Sequence, residues 1–459
     1  MTFINFILFA AVIIITFAAA RQALFFKREP RSALAWVVFI LALPPFGALV
    51  FYLFGVNRVR TRARALKPAT HTAGAEQPVG TDPLDRLGHA VTGHPRRAGN
   101  GVEALFDGES AFPAMLADIE GARQRILLST YIFDADEAGT AFIDALSSAV
   151  ARGVDVRVMI DGIGELYSLP RRAVPRLRAV GVRAERFLPP RLWPPRFRIN
   201  LRNHRKLLIV DDRIAFTGGM NISERHCSAG PRRGRVHDIQ FRLKGPVVRD
   251  LTEAFAEDWR VVTGEVITPA ILPTETGQVT CRMVLDGPNE DLDRLPLMLV
   301  GAIGIACERI AIMTPYFLPP RELIVALQAA ALRGVRVDLI LPAKNNLPYV
   351  DWAMRNMLWE LLERDIGVHY QPGSFVHSKL FLVDSDYAQI GSANLDSRSL
   401  RLNFELVVEV LDEECIGGLY EHFDTALARS QRLTLADVDG RPWPIRLRDG
   451  LAWLFTPYL

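Results

Sequence analysis

The stretch NHRKLLIVDDRIAFTGGMN, Asn203 to Asn221, returns in altered form as VHSKLFLVDSDYAQIGSAN, Val376 to Asn394. In both, a histidine is followed two positions on by lysine and five further on by aspartate: His204, Lys206 and Asp211, then His377, Lys379 and Asp384. A glycine stands 7 positions beyond each aspartate, Gly218 and Gly391, and an asparagine 3 beyond each glycine, Asn221 and Asn394. The copies lie 173 residues apart, so the chain reads as a duplication in which each half supplies part of one site.

These residue types suit attack on a phosphodiester. Neutral imidazole is a nucleophile near its ordinary pKa, and lysine and asparagine donate to non-bridging oxygens, so the chemistry calls for no metal and no other cofactor. One copy alone would fit an ordinary half-buried strand. Two copies with matched Gly and Asn point to an active site, and since one His-Lys pair lacks a separate acid, the two are expected to converge in one cleft.

Further echoes support the duplication. VEALFDGES pairs with RMVLDGPNE, RILLSTYIF with RIAIMTPYF and ARGVDVRVMI with LRGVRVDLIL, at offsets of 179, 184 and 181. Each half then reads strand, helix, strand: Ile126 to Ile132, Ala141 to Arg152 and Val154 to Ile160, then Ile310 to Thr314, Arg321 to Arg333 and Val335 to Ile340. That alternation predicts an α/β fold with a mixed or parallel sheet covered on both faces. Lys206 to Val210 and Lys379 to Val383 read as short strands whose alternation would put His and Lys on one face.

The front of the chain differs in character. Thr2 to Ala20 and Ala33 to Gly55 are both uncharged, each long enough to cross a bilayer core, and together they read as a two-helix membrane hairpin rather than a cleaved signal peptide, since no basic stretch precedes the first. Pro44-Pro45 and Gly47 would bend the second segment, which either crosses or dips and returns. The expected layout is a 1-67 anchor with basic flanks, a 68-100 linker, and lobes over 101-270 and 271-459.

Charge follows the same division. Residues 1-67 carry nine basic residues against Glu29 alone, +8, leaving −5 for the remainder of a chain of net charge +3. A body binding nucleic acid through phosphates would concentrate basic charge at its groove, so no nucleic-acid partner is expected. The four cysteines, Cys227, Cys281, Cys307 and Cys415, are widely spaced and suggest buried thiols rather than a disulfide framework or a zinc site. Two stretches read as interfacial: FLPPRLWPPRFRINLR, Phe187 to Arg202, as a lipid-facing loop, and LAWLFTPYL, Leu451 to Leu459, as an apolar tail.

The motif stretches resemble the phospholipase D superfamily, and together with REPRSALAWVV and TPYFLPP they look like its bacterial cardiolipin synthase branch over nearly the whole chain. The resemblance implies two pseudo-twofold-related sandwich lobes, each a sheet flanked by helices, behind the membrane hairpin. It implies His204 as nucleophile, forming a phosphohistidine, and His377 as acid, with the reverse order left open. Lys206, Lys379, Asn221 and Asn394 would hold phosphoryl oxygens, and Ser392 would add a hydroxyl contact that Gly219 lacks in the first copy. Asp238 and Glu405 resemble the family's histidine-orienting acids, while Asp211 and Asp384 would cap the turn after each motif strand. The implied substrates are phosphatidylglycerol and other anionic phospholipids at the cell membrane, with the body on the cytoplasmic side. Transfer of a phosphatidyl group from one phosphatidylglycerol to another, releasing glycerol, is the expected reaction, with phospholipase D-type hydrolysis the alternative.

Overall fold

The computed structural model describes residues 3–27, 30–55, 59–67, 82–190, 200–227, 234–269, 274–289 and 291–456. It divides into two compact units, Met1–Leu66 and Lys67–Leu459.

In the first unit, helix α1 spans Phe3–Phe26, and at helical rise its 24 residues reach about 36 Å. It is the one helix among the described residues long and apolar enough to cross a membrane. The second apolar segment is broken: α2, Pro30–Ala42, stops ahead of Pro44-Pro45, and a short helix Phe46–Val50 and a π-helical turn Phe51–Gly55 follow. Two successive residues without N–H groups cannot continue the helical ladder, so the expected bend falls here. Gly47 lets the chain pack back on α2, since a Cβ there would lie 2.6 Å from the Phe39 carbonyl oxygen.

The second unit is organised by one sheet. The first half contributes β1 Arg97–Phe106, β2 Arg125–Thr130, β3 Asp155–Asp161, β4 Arg183–Phe187, β5 Leu207–Val210, β6 Ile214–Gly218 and β7 Ile239–Lys244. The second contributes β8 Val279–Asp286, β9 Arg309–Met313, β10 Arg336–Pro342, β11 Gly367–Gln371, β12 Leu380–Val383, β13 Tyr387–Gly391, β14 Glu405–Leu411 and an edge strand β15 Gln431–Arg432. From the centre outward the first half runs β1-β7-β6-β5-β2-β3-β4 and the second β8-β14-β13-β12-β9-β10-β11-β15, so each strand has a counterpart apart from β15. Both halves are parallel where helical crossovers connect strands, β2-β3-β4 and β9-β10-β11, and antiparallel elsewhere.

The halves meet by antiparallel pairing of β1 with β8, at Arg97 opposite Cys281 and Asn100 opposite Val279. The lobes are therefore continuous through one 15-stranded sheet. Each keeps its own apolar core, with Phe112, Phe142, Leu146 and Val158 in the first and Met298, Leu327, Leu339 and Leu358 in the second.

Three expectations fail in detail. The 68-100 linker is ordered over much of its length: Asp82 caps a helix Pro83–Thr92, with Pro83 in its first turn, and β1 begins at Arg97. Leu84, Leu87 and Val91 on that helix pack into the second-lobe core, which outweighs the poor local signal of its Gly- and Thr-containing sequence. Residues 68–81 lie outside the described residues. The Arg-rich stretch is not lipid-facing at its ends: Phe187 is buried, and buried Arg202 pairs with Asp161 at 3.2 Å and donates to the Leu188 carbonyl. Residues 191–199 of it lie outside the described residues. Cys281 is buried and Cys307 exposed, so the buried-thiol expectation does not extend to all four.

Candidate active site

His204 and Lys206 lie in an extended run just ahead of β5, and His377 and Lys379 just ahead of β12, rather than within the strands. Cross-lobe backbone contacts hold both runs. Asn203 bridges Phe404 and the His204 N–H donates to the Phe404 carbonyl at 3.0 Å; symmetrically, Phe375–Val376 pairs with Val236–His237 and the His377 N–H donates to the His237 carbonyl at 2.7 Å. Phe404 precedes Glu405, and His237 precedes Asp238.

The orienting acids are thereby exchanged. His204 Nδ1 lies 3.0 Å from Glu405 of the second lobe, and His377 Nδ1 lies 2.8 Å from Asp238 of the first. A carboxylate only accepts, so each Nδ1 carries the hydrogen and each Nε2 is left as the lone-pair nitrogen. Both imidazoles keep 12% of their surface exposed, while both acids have none. Lys206 Nζ donates to the His204 carbonyl at 2.8 Å, and Lys379 Nζ donates to the His377 carbonyl. The Tyr131 ring stands edge-on to His204 at 5.3 Å and Tyr316 to His377 at 6.4 Å, one aromatic wall per lobe.

Other motif members divide by position. Asp211 and Asp384 stay out of the cleft at the far end of their strands. Asp211 accepts three backbone N–H groups, from Arg123, Gln124 and Arg125, and Asp384 three from Cys307, Glu308 and Arg309. Each fixes the turn entering β2 or β9. Asn221 spends its carbonyl on the Ile132 N–H at 3.1 Å, whereas the buried Asn394 carbonyl oxygen has no hydrogen-bond partner among the described residues.

Ser392 differs from the expectation. Its hydroxyl donates to Glu405 at 2.5 Å and accepts from the Leu406 N–H at 3.0 Å, so it steadies the acid rather than offering a phosphate contact. At Gly219 a Cβ would lie 2.4 Å from both Asp238 oxygens. The shorter acid sits against a bare backbone and the longer acid against a hydroxyl, which accounts for the Gly219/Ser392 difference between the repeats.

Burial governs the titrations. It pushes Lys206 down to about 7 and Lys379 down to about 8, and lowers both imidazoles; both lysines add to the effect at each ring, but at His204 the Glu405 carboxylate opposes it, so His377 is lowered further. Burial raises Glu405, but His204, Lys206 and the Ser392 hydroxyl more than offset it and leave the carboxyl below its ordinary value. Asp238 is left above its ordinary value by burial, despite Lys379. The mutual influence of Lys206, Lys379, Glu405 and Asp238 places the four in one electrostatic neighbourhood. Among the described residues no group of three or more His, Cys, Asp or Glu side chains is arranged to hold a metal ion.

Sequence reasoning missed a support behind this site. Lys67, grouped there with the basic flank, is fully buried: it pairs with Asp258 and lies over the Phe404 ring at 4.8 Å. Asp258 also takes the Arg205 guanidinium at 3.1 Å and the Asn203 amide at 2.9 Å, the two residues flanking His204. No local pattern marks this role, because every partner is distant in sequence.

Two imidazoles backed by exchanged carboxylates, each with a lysine two positions on, on a duplicated α/β sheet, define a phosphodiester-processing enzyme of the phospholipase D class. The cardiolipin synthase, PLD-like domain family matches residues 115–259 and 299–427, and a phospholipase D-nuclease N-terminal family matches residues 6–55. Cardiolipin synthase A of Pseudomonas aeruginosa is 35% identical over 451 residues, covering 94% of this chain and 91% of the relative. Cardiolipin synthase of Oceanobacillus iheyensis is 30% identical over 476 residues, covering 99% of both. A crystal structure of phosphatidylserine synthase from Haemophilus influenzae Rd KW20 shares the fold, with a TM-score of 0.63 at 15% identity over 82% of this chain and 100% of that one. The chain belongs to the cardiolipin synthase family of the phospholipase D superfamily, and is an enzyme of that type.

Proposed function

We propose that this chain transfers a phosphatidyl group from one phosphatidylglycerol to another, making cardiolipin and glycerol through a phosphohistidine. The observation that carries the reading is the exchanged His-carboxylate pairing, 3.0 Å at His204 and 2.8 Å at His377.

His204 Nε2 attacks phosphorus and the bond from phosphorus to the glycerol headgroup oxygen breaks, with His377 Nε2 giving that oxygen its proton. Ionised Glu405 supports His204 as nucleophile, since the phosphorylated ring is cationic and its Nδ1–H faces a carboxylate. Before substrate arrives burial keeps both imidazoles neutral, and the phosphodiester charge favours the protonated form of His377, so substrate and the leaving-group proton enter together. Lys206, Lys379, Asn221 and Asn394 are the donors for non-bridging oxygens as charge builds in the five-coordinate state. In the second half-reaction the acceptor's hydroxyl gives its proton to His377, its oxygen bonds to phosphorus, and the bond to His204 breaks. The enzyme ends as it began.

The chain works at the cell membrane, held by α1, with its body on the cytoplasmic side. The length and apolar character of Phe3–Phe26 and the basic residues beyond it support this. The test is incubation of purified protein with headgroup- and acyl-labelled phosphatidylglycerol. Cardiolipin and glycerol are expected in equal amounts, with His204→Ala and His377→Ala each inactive yet folded. Phosphatidic acid as the lipid product would replace transfer by hydrolysis, and turnover retained in either variant would remove that histidine from the mechanism.

A further inference from the structure

The helix Trp443–Trp453 near the end of the described chain is clamped on one side and bare on the other. Asp449 is fully buried and holds Arg441 on one flank and Arg448, at 2.7 Å, on the other. Arg441 also donates to the Arg355 carbonyl at 3.2 Å, Arg448 stacks over Trp352 at 4.5 Å, and Ala452 packs on the second-lobe core. The rotation of the helix about its axis is therefore fixed by a buried carboxylate and two arginines.

The face so fixed outward is apolar. Trp443, Leu447, Leu451 and Leu454, at steps of four, four and three, are 74, 55, 53 and 64% exposed, and Phe455 beside them 60%. Such steps fall on one stripe of an α-helix. At helical rise the 11 residues make a stripe about 17 Å long, too short to cross a bilayer and suited to lying along its surface. Trp443 and Trp453 mark its two ends, and Arg446, exposed and without an ion pair among the described residues, points to an anionic surface. With Arg441 and Arg448 against Asp449 the segment carries net positive charge.

We propose that this stripe is a membrane-docking surface that seats the body on an anionic phospholipid bilayer, with Leu447 and Leu451 among the acyl chains and Arg446 at the phosphates. A bilayer is favoured over a protein partner because tryptophan at both ends and an exposed arginine with no ion pair among the described residues match the headgroup region. The choice of anionic phospholipid rests on the proposed reaction; the docking itself does not.

The test uses the full chain reconstituted in phosphatidylglycerol-containing bilayers, with Cys307→Ser and a nitroxide at Leu447→Cys or Leu451→Cys. A control label is placed at Glu421→Cys on the exposed side of the helix Glu413–Ala428. Relaxation by oxygen exceeding that by a water-soluble nickel chelate at 447 and 451, and the reverse at 421, is the expected result. Equal access of the chelate to all three sites overturns the proposal, as does shielding from both reagents with spin-spin broadening, which would assign the stripe to contact between two copies.

A second arm measures turnover of Leu447→Glu/Leu451→Glu. It is expected to fall about tenfold or more on bilayer phosphatidylglycerol and to hold on detergent-dispersed lipid. Unchanged bilayer turnover would sink the docking surface and leave the synthase reading standing. Lipid shielding in a protein that makes no cardiolipin would do the opposite.

Discussion

Replacing Glu405 by Gln tests whether the exchanged carboxylate carries catalytic weight. The side chain is nearly isosteric, and its surroundings accept it: with Oε1 turned to His204 and Asn403, the amide nitrogen donates to Ser392 Oγ, whose hydroxyl can turn to the Leu406 carbonyl at 3.3 Å. What disappears is the charge facing His204 Nδ1 at 3.0 Å. With charge centres about 4 Å apart and an effective dielectric near 20, a carboxylate stabilises an imidazolium by about 4 kcal/mol. The remaining neutral hydrogen bond returns about 1 kcal/mol, leaving about 3 kcal/mol in the phosphorylation step. That corresponds to a kcat lower by about a hundredfold, with KM little changed because Glu405 is fully buried and acts through His204. The assay is cardiolipin formation from labelled phosphatidylglycerol in bilayers, alongside a melting curve to show that the variant is folded. A folded Glu405→Gln enzyme with kcat within about threefold of the parent would refute the role given to the exchange.

Four further outcomes are expected. Asp384→Asn keeps a residue tolerant of the left-handed backbone, φ 48°, but weakens three N–H contacts; it should cost about 1–2 kcal/mol of stability, seen in the melting temperature, without changing kcat per folded molecule. Gly219→Ala drives a methyl into the Asp238 carboxylate and should lower kcat by about tenfold to about a hundredfold through misplacement of His377; a parent-like rate would show that His377 tolerates a displaced acid. Lys67→Met removes one partner of a buried ion pair and should lower the melting temperature by the equivalent of about 3–5 kcal/mol, whereas a lysine serving only the membrane surface would leave it unmoved. Lysines lowered to about 7 and about 8 are charged below those values and neutral above, so inhibition by tungstate, a phosphate mimic, should weaken by about tenfold from about pH 6.5 to about pH 9; an affinity flat with pH would place the lysines outside the anion site.

Much of the fold was legible because duplication doubles every weak signal. The helix read over Arg321 to Arg333 spans Arg321–Leu332, and the strand read from Val154 to Ile160 spans Asp155–Asp161. The echo of VEALFD in RMVLD marked β1 and β8 as counterparts, though not that these two strands join the lobes edge to edge. The site was legible in its members but not in its wiring. Spacing along a chain cannot say that Glu405 serves His204 and Asp238 serves His377, because that depends on which lobe faces which. Ser392 was misread for a related reason: a hydroxyl beside a predicted phosphate site looks like a ligand until the acid it bonds is seen. The helix Pro83–Thr92 escaped notice because its stability comes from apolar neighbours more than 200 residues away, Leu295 and Met298 among the core it joins.

The swap of carboxylates has a genetic corollary. Neither repeat is a miniature enzyme: cut between β7 and β8, each fragment would hold an unsupported imidazole and an idle acid, and only reassembly along β1 and β8 would restore both couples. The molecule behaves as a dimer spliced into one reading frame, free to diverge between its halves so long as each acid keeps a neighbour cut to its length. Glycine beside the aspartate and serine beside the glutamate are the trace of that bargain.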